Sequence, residues 1–185
     1  MEELRDKRGL TEAEAIARYR SRNYPKPALT ADILVFRREG TGLKLLLIRR
    51  GGHPYLGKLA LPGGFANENE PVEATAAREL FEETGVEGLQ LQLVGIFSAP
   101  GRDPRGWVVS AAYLSVVGEE MPAVRAGDDA AAALWYEVVT EGDTVLLRRE
   151  GETVDADALA FDHGRILRSA LTMLIPCDFP EAVVK

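Results

Sequence analysis

The chain has 185 residues, one cysteine and a formal net charge of −7, from 29 acidic against 22 basic side chains. That length suits one domain with an accessory hairpin or arm, and 46% apolar with 28% charged residues is a globular composition, not a disordered one. The lone Cys177 excludes a disulfide framework and points to a reducing, cytoplasmic setting, while the acidic balance speaks against a duplex nucleic-acid partner.

In chain order, residues 1–23 read as a charged helical arm, with Thr11 as N-cap and Glu14 three residues on. The arm carries no apolar stretch of the kind a secretory signal needs. Pro25 and Pro27 close it, and residues 24–185 form the main domain. Thr30–Phe36 and Leu43–Arg49 are β-rich and separated by a two-glycine loop, so they predict a hairpin. Leu59–Leu61 is a short strand running into Pro62-Gly63-Gly64. A helix is predicted from about Pro71 to Thr84, stopped by Gly85. Further strands follow at 91–97, 107–117 and 132–139, with an added hairpin across about 140–157. Phe161–Leu174 has one apolar face and closes the domain as a helix. Runs such as Leu45–Ile48 are too short to span a bilayer, so no membrane partner is expected. Many strands and few helices make the class α+β, a mixed sheet packed between helices.

The predicted helix at 71–84 carries the most unusual charge pattern. At 100° per residue, Glu79, Glu82 and Glu83 fall within an arc of about 100°. Ala77, Leu80, Phe81 and Thr84 are then expected to face the core. Glu79 and Glu83 are a like-charged i,i+4 pair that destabilises a helix unless something neutralises it. Three carboxylates beside a Gly-rich turn suit a hard divalent cation such as Mg²⁺.

The segment Gly64–Val86 resembles the Nudix box, G-x5-E-x7-R-E-U-x-E-E-x-G-U with U bulky and aliphatic, at every specified position. A chance match in a chain of this length has odds of about one in a million, so a merely solvated acidic face is set aside. The resemblance implies an α/β/α sandwich that hydrolyses a nucleoside diphosphate linked to another moiety, with Mg²⁺ or Mn²⁺ as cofactor. It implies Glu79, Glu82 and Glu83 as metal ligands, with Gly63 beside them. It also implies that Arg78 and Glu70 orient those ligands, and that backbone geometry requires Gly64 and Gly85.

Outside the box, Tyr24–Asp32, Leu45–Arg50, Gly57–Phe65, Gly101–Gly106 and Leu159–His163 resemble the ADP-ribose pyrophosphatase branch. Pro100, 15 residues after Gly85, fits that branch. Leu59 stands where the branch commonly has Trp. What the resemblance implies is cleavage of ADP-ribose to AMP and ribose 5-phosphate, by a homodimer exchanging strands or arms from residues 1–36. Other substrates of the same chemistry are nucleoside triphosphates, NADH and nucleotide sugars. A sensor that binds ADP-ribose without turnover is the non-enzyme alternative, and no winged-helix segment follows the tail helix to make it a repressor.

Proton removal from the attacking water needs a carboxylate. By resemblance it lies before a late strand, at Asp128 or Asp129, with a box glutamate as the alternative. Phosphate needs basic partners, for which Arg49, Arg50 and Arg102 are the candidates, ahead of Arg105. Phe97, Tyr55 and Trp107 are candidates for adenine stacking. His53 and His163 are not at metal-ligand spacing, and His163 is read as ordering the last helix. The excess charge has a definite location: Gly64–Val86 holds six glutamates and one arginine, whereas residues 40–67 hold Lys44, Arg49, Arg50 and Lys58 and no acid. An anionic substrate therefore meets a metal-binding helix flanked by a basic segment.

Overall fold

Alternate side chains of a strand point to opposite faces, and a strand apolar at every position needs cover on both. Ile33 and Val35 enter one buried cluster while Leu34 and Phe36 enter another, and Leu46 and Leu45 divide in the same way. The protein, a computed structural model that describes residues 4–118, 124–125 and 130–178, meets this need with one sheet between two helices.

Along the chain come α1 (Glu12–Arg20), β1 (Ala28–Glu39), β2 (Gly42–Arg50), β3 (Leu59–Ala60), β4 (Gly63–Phe65) and α2 (Val72–Thr84). Then follow β5 (Gln92–Phe97), β6 (Val108–Val117), β7 (Ala130–Glu141), β8 (Thr144–Arg149), β9 (Glu152–Asp155), a single 3-10 turn and α3 (His163–Asp178). The strand order is β5-β6-β1-β2-β7-β8-β9, with β3 on β2 and β4 on β1. Among the described residues only the β1–β6 pair is parallel, so the sheet is mixed. Helix α2 seats Ala76 and Leu80 against Ile33, Val35 and Leu46, and α3 seats Ile166, Leu167 and Ala170 against the other face. The class is α+β, as the sequence predicts.

Two expectations change. The turn after Leu61 is not simply a loop, because Gly63–Phe65 pairs with Asp32–Thr30 as β4. On α2 the core face is Thr75, Ala76, Leu80, Glu83 and Thr84, whereas Ala77 and Phe81 are exposed. The helix is thus turned so that Glu83 faces inward. Strand β1 is central in the sheet, hydrogen-bonded to β2, β4 and β6. The arm forms the predicted capping box, Thr11 Oγ1 accepting from Glu14 N–H and Glu14 accepting from Thr11 N–H, yet no residue of α1 is buried.

The hairpin expected across about 140–157 is present as β8 and β9. It is tied back to the main sheet by Glu152, which accepts from the buried Tyr136 hydroxyl at 2.7 Å and pairs with Arg49 at 3.2 Å. Burial and the Glu152 carboxylate push the Tyr136 hydroxyl up to about 12. No helix among the described residues is long and apolar enough to cross a membrane.

Candidate active site

Helix α2 begins behind Pro71 and ends on Gly85, whose left-handed φ of 72° lets its N–H bond the Phe81 carbonyl. Those boundaries set the angular position of every glutamate between them. Arg78 is the hub. It forks onto Glu70 with Nε–Oε1 at 2.8 Å and Nη2–Oε2 at 2.9 Å, and its Nη1 donates to Glu79 at 2.7 Å and Glu82 at 2.9 Å. Nη2 also donates to the Phe65 carbonyl at 3.0 Å, which ties helix to strand β4. Hydrogen bonds from Arg78, the Asn67 N–H and Thr75 hold Glu70 down at about 2. One guanidinium therefore offsets the repulsion expected among the carboxylates of this helix.

Glu83 is 8% exposed and accepts the Gly63 N–H at 2.8 Å. Burial, reinforced by nearby Glu79, pushes its carboxyl up to about 8 against the opposing bond from Gly63. Glu79 is raised too, first by burial. The glycines explain how these groups come so close. A side chain at Gly63 would collide with the Ala31 carbonyl, and its φ of 153° already disfavours any other residue. At Gly64 an added Cβ would lie 2.5 Å from both Glu79 carboxylate oxygens. A Gly64→Ala variant should therefore keep its fold while Glu79 swings away. We expect kcat/KM to fall about 100-fold with little change in thermal midpoint, since displacing a site group by an ångström has effects of that order. A parental rate would show that Glu79 is not needed where it stands.

The cleft beside Gly63 and Gly64 is also lined by Asp32, Arg50, Phe65, Arg102, Asp103, Arg105, Phe161 and His163. Its floor is a buried polar network. Asp32 Oδ2 accepts from Ser110 Oγ at 2.5 Å and Arg102 Nη2 at 3.3 Å. Arg102 forks onto Asp162 at 3.0 and 2.6 Å. His163 Nδ1 accepts the Leu61 N–H at 2.9 Å, so its proton sits on Nε2, 3.4 Å from Asp32 Oδ1. Burial alone would raise the Asp32 carboxyl, but His163, Ser110 and Arg102 outweigh it and hold it below its ordinary value.

The four arginines are thus sorted by geometry. Arg102, read from the sequence as a phosphate ligand, is 8% exposed and committed to two aspartates. Arg49 points away from Arg50, as strand alternation requires, and pairs with Glu152 outside the cleft lining. Arg50 donates to the Pro54 carbonyl and Arg105 pairs with Asp103, and both line the cleft. Tyr55 packs on Phe161, Phe97 joins the core cluster, and Trp107 is exposed. Asp128 and Asp129 lie outside the described residues.

Sequence reasoning missed Asp32, Ser110, Asp162 and Phe161, and read His163 only as a helix-ordering residue. Asp32 did carry a signal: a carboxylate inside the apolar run 31–36 must have a buried partner. Its partners lie on β6, in the β5–β6 loop and at the start of α3, which nothing local reveals.

Among the described residues, no three His, Cys, Asp or Glu side chains stand together as a ready metal-ligand set. The donors nevertheless suit a hard divalent ion. Glu79 and Glu83 offer carboxylate oxygens of raised proton affinity at one turn, and a cation would offset the cost of burying their charge and the repulsion from neighbouring carboxylates. Glu82, adjacent to Glu83 in the chain, accepts from the same Arg78 nitrogen that holds Glu79.

A family model described as the NUDIX domain matches residues 26–156. The chain is 36% identical over 148 residues to an ADP-ribose pyrophosphatase of Methanocaldococcus jannaschii, covering 80% of this chain and 75% of that protein. It is 35% identical over 109 residues to an ADPR-responsive transcriptional repressor of Acinetobacter baylyi, but spans only 44% of that protein's length. Among solved structures, a MutT/nudix family protein from Enterococcus faecalis superposes with a TM-score of 0.78 at 38% identity, over 91% of this chain and 71% of that one. The NUDIX domain of Shewanella oneidensis NrtR, crystallised with ADP ribose, superposes with a TM-score of 0.71 at 29% identity, over 89% and 99%.

Proposed function

Because this chain belongs to the Nudix family of hydrolases, we propose that it cleaves the pyrophosphate bond of ADP-ribose with water, releasing AMP and ribose 5-phosphate. The observation that carries the reading is the delivery of Glu79 and Glu83 by α2 to the Gly63–Gly64 turn, with a guanidinium-lined wall across the cleft. Glu79 and Glu83, with Glu82 and the Gly63 backbone beside them, would hold Mg²⁺ or Mn²⁺, which would neutralise charge and polarise a phosphoryl group when bound.

The chain's own residues do the rest. Arg78 sets the carboxylates so that their repulsion does not open the helix. Gly63 N–H fixes one Glu83 oxygen and leaves the other for a ligand. Arg50 lines the cleft and brings positive charge for a phosphate close to the Glu83 carboxylate. Proton acceptance from water falls to a carboxylate, Asp128 or Asp129 between β6 and β7 or a glutamate of α2.

The substrate choice is supported by the Methanocaldococcus jannaschii relative and by the ligand in the Shewanella oneidensis domain. The test is incubation of the purified chain with Mg²⁺ and ADP-ribose, NADH, ADP-sugars and nucleoside triphosphates, with products resolved chromatographically. AMP release fastest from ADP-ribose is expected. Turnover of triphosphates alone would move the chain to another Nudix substrate, and ADP-ribose binding without turnover would favour the sensor reading that the Acinetobacter baylyi relative suggests.

A further inference from the structure

The wall opposite the carboxylates is a built arrangement. Asp103, 3% exposed, holds Arg105 by Nε at 3.0 Å and Nη2 at 2.7 Å. The guanidinium carbon then sits 4.5 Å from the ring centroid of Phe65 and 5.3 Å from that of Phe161. Arg50 lies over the same Phe161 ring at 5.0 Å. Rings and guanidinium groups thus alternate in the order Arg50, Phe161, Arg105, Phe65. Phe161 adopts a φ of 54°, a left-handed conformation that strains an aromatic residue, and that strain sets one ring between two arginines.

This stack leaves Arg105 few options. Both rings lie against the guanidinium, and two of its three nitrogens are bonded to Asp103. Nη1 has no hydrogen-bond partner among the described residues, and the side chain is still 39% exposed. Phe65 directly follows Gly63 and Gly64, against which Glu83 and Glu79 lie. A three-residue strand therefore separates the Glu79 and Glu83 carboxylates from the Arg105 guanidinium. A planar fork already held in place loses little freedom when it binds, and its edge matches phosphate oxygens.

We infer that Arg105 is a substrate-binding residue: its guanidinium edge, held against Phe65 and Phe161, grips the diphosphate of the substrate, whereas Arg102 is a structural cation. This rests on reading the cleft as a pyrophosphate-hydrolysing site.

The probe is methylenediphosphonate with Mg²⁺, a diphosphate analogue that cannot be hydrolysed, titrated calorimetrically into the full chain and into Arg105→Ala, Arg105→Lys and Phe65→Leu. Arg105→Ala and Arg105→Lys should each weaken binding about tenfold or more, the loss of one charge-assisted hydrogen bond at a planar fork. Phe65→Leu should weaken it less, and should have no further effect when added to Arg105→Ala. Arg105→Lys retains a cation beside Asp103, so it decides the matter if the alanine variant is unfolded. Affinity within twofold of the parent in Arg105→Ala, parental affinity in Arg105→Lys, or no binding by the parent would overturn the inference. Failure of the parent to cleave ADP-ribose would count against the hydrolytic reading alone, because this titration needs no turnover.

Discussion

Replacing Glu83 by Gln should cut Mg²⁺-dependent turnover by about 100- to 1,000-fold, the scale for losing one electrostatic group at a reacting centre. The same change should stabilise the metal-free protein at alkaline pH. The sign follows from the raised carboxyl: its folded value is about 8 against an ordinary 4.5, so the fold prefers the protonated form. Its contribution to stability is complete below about pH 4.5 and is lost as pH rises through about 8. Above that point the parent must keep a charge buried at 8% exposure, whereas Gln stays neutral and still accepts the Gly63 N–H. Scanning calorimetry in chelator should therefore show a parental midpoint that falls between pH 5 and 9 and a flatter profile for Glu83→Gln. Adding Mg²⁺ at pH 9 should raise the parental midpoint and leave the variant unmoved. A variant that responds to Mg²⁺ as the parent does would remove Glu83 from the metal site.

Arg78→Lys is the second large effect. It conserves charge, so a role in bulk electrostatics would survive it. The guanidinium, however, makes five hydrogen bonds, to Glu70, Glu79, Glu82 and the Phe65 carbonyl, in directions that only a planar fork supplies. An ammonium has three donors on a flexible stem and cannot hold them together. The expected loss is about 10- to 100-fold in kcat/KM, the range for residues that orient metal ligands. Apparent Mg²⁺ affinity should weaken with it, because Glu79 and Glu82 lose their common anchor. A Lys variant with parental rate and parental Mg²⁺ dependence would reduce Arg78 to a surface charge.

Much of the carboxylate half of this site was legible beforehand, and the reason is its locality. Glu70, Arg78, Glu79, Glu82 and Glu83 are carried by one helix and the loop leading into it, so spacing converts directly into angle. Even there the sequence leaves the rotation of α2 open, because Ala76 and Ala77 are equally plausible core residues until the sheet is in place. Only packing against Ile33 and Leu46 shows that Glu83 points inward. The arginine half is less legible. Arg49 and Arg50 are neighbours of identical type, and Arg102 and Arg105 share one loop, so composition and spacing cannot rank them.

What the sequence determined by itself is the set of short-range features: the helix stopped by Gly85, the capping box at Thr11 and Glu14, the β1–β2 hairpin and the family of the chain. Each depends on residues within a few positions of one another, or on a fixed motif. Tertiary structure alone decided which charges face the cleft and which are consumed beneath it. Arg102 finds Asp162 and Asp32 at separations of 60 and 70 residues, and Leu61 finds His163 across 102. A buried charge takes whichever opposite group the sheet and last helix bring beside it, and that choice is made by packing.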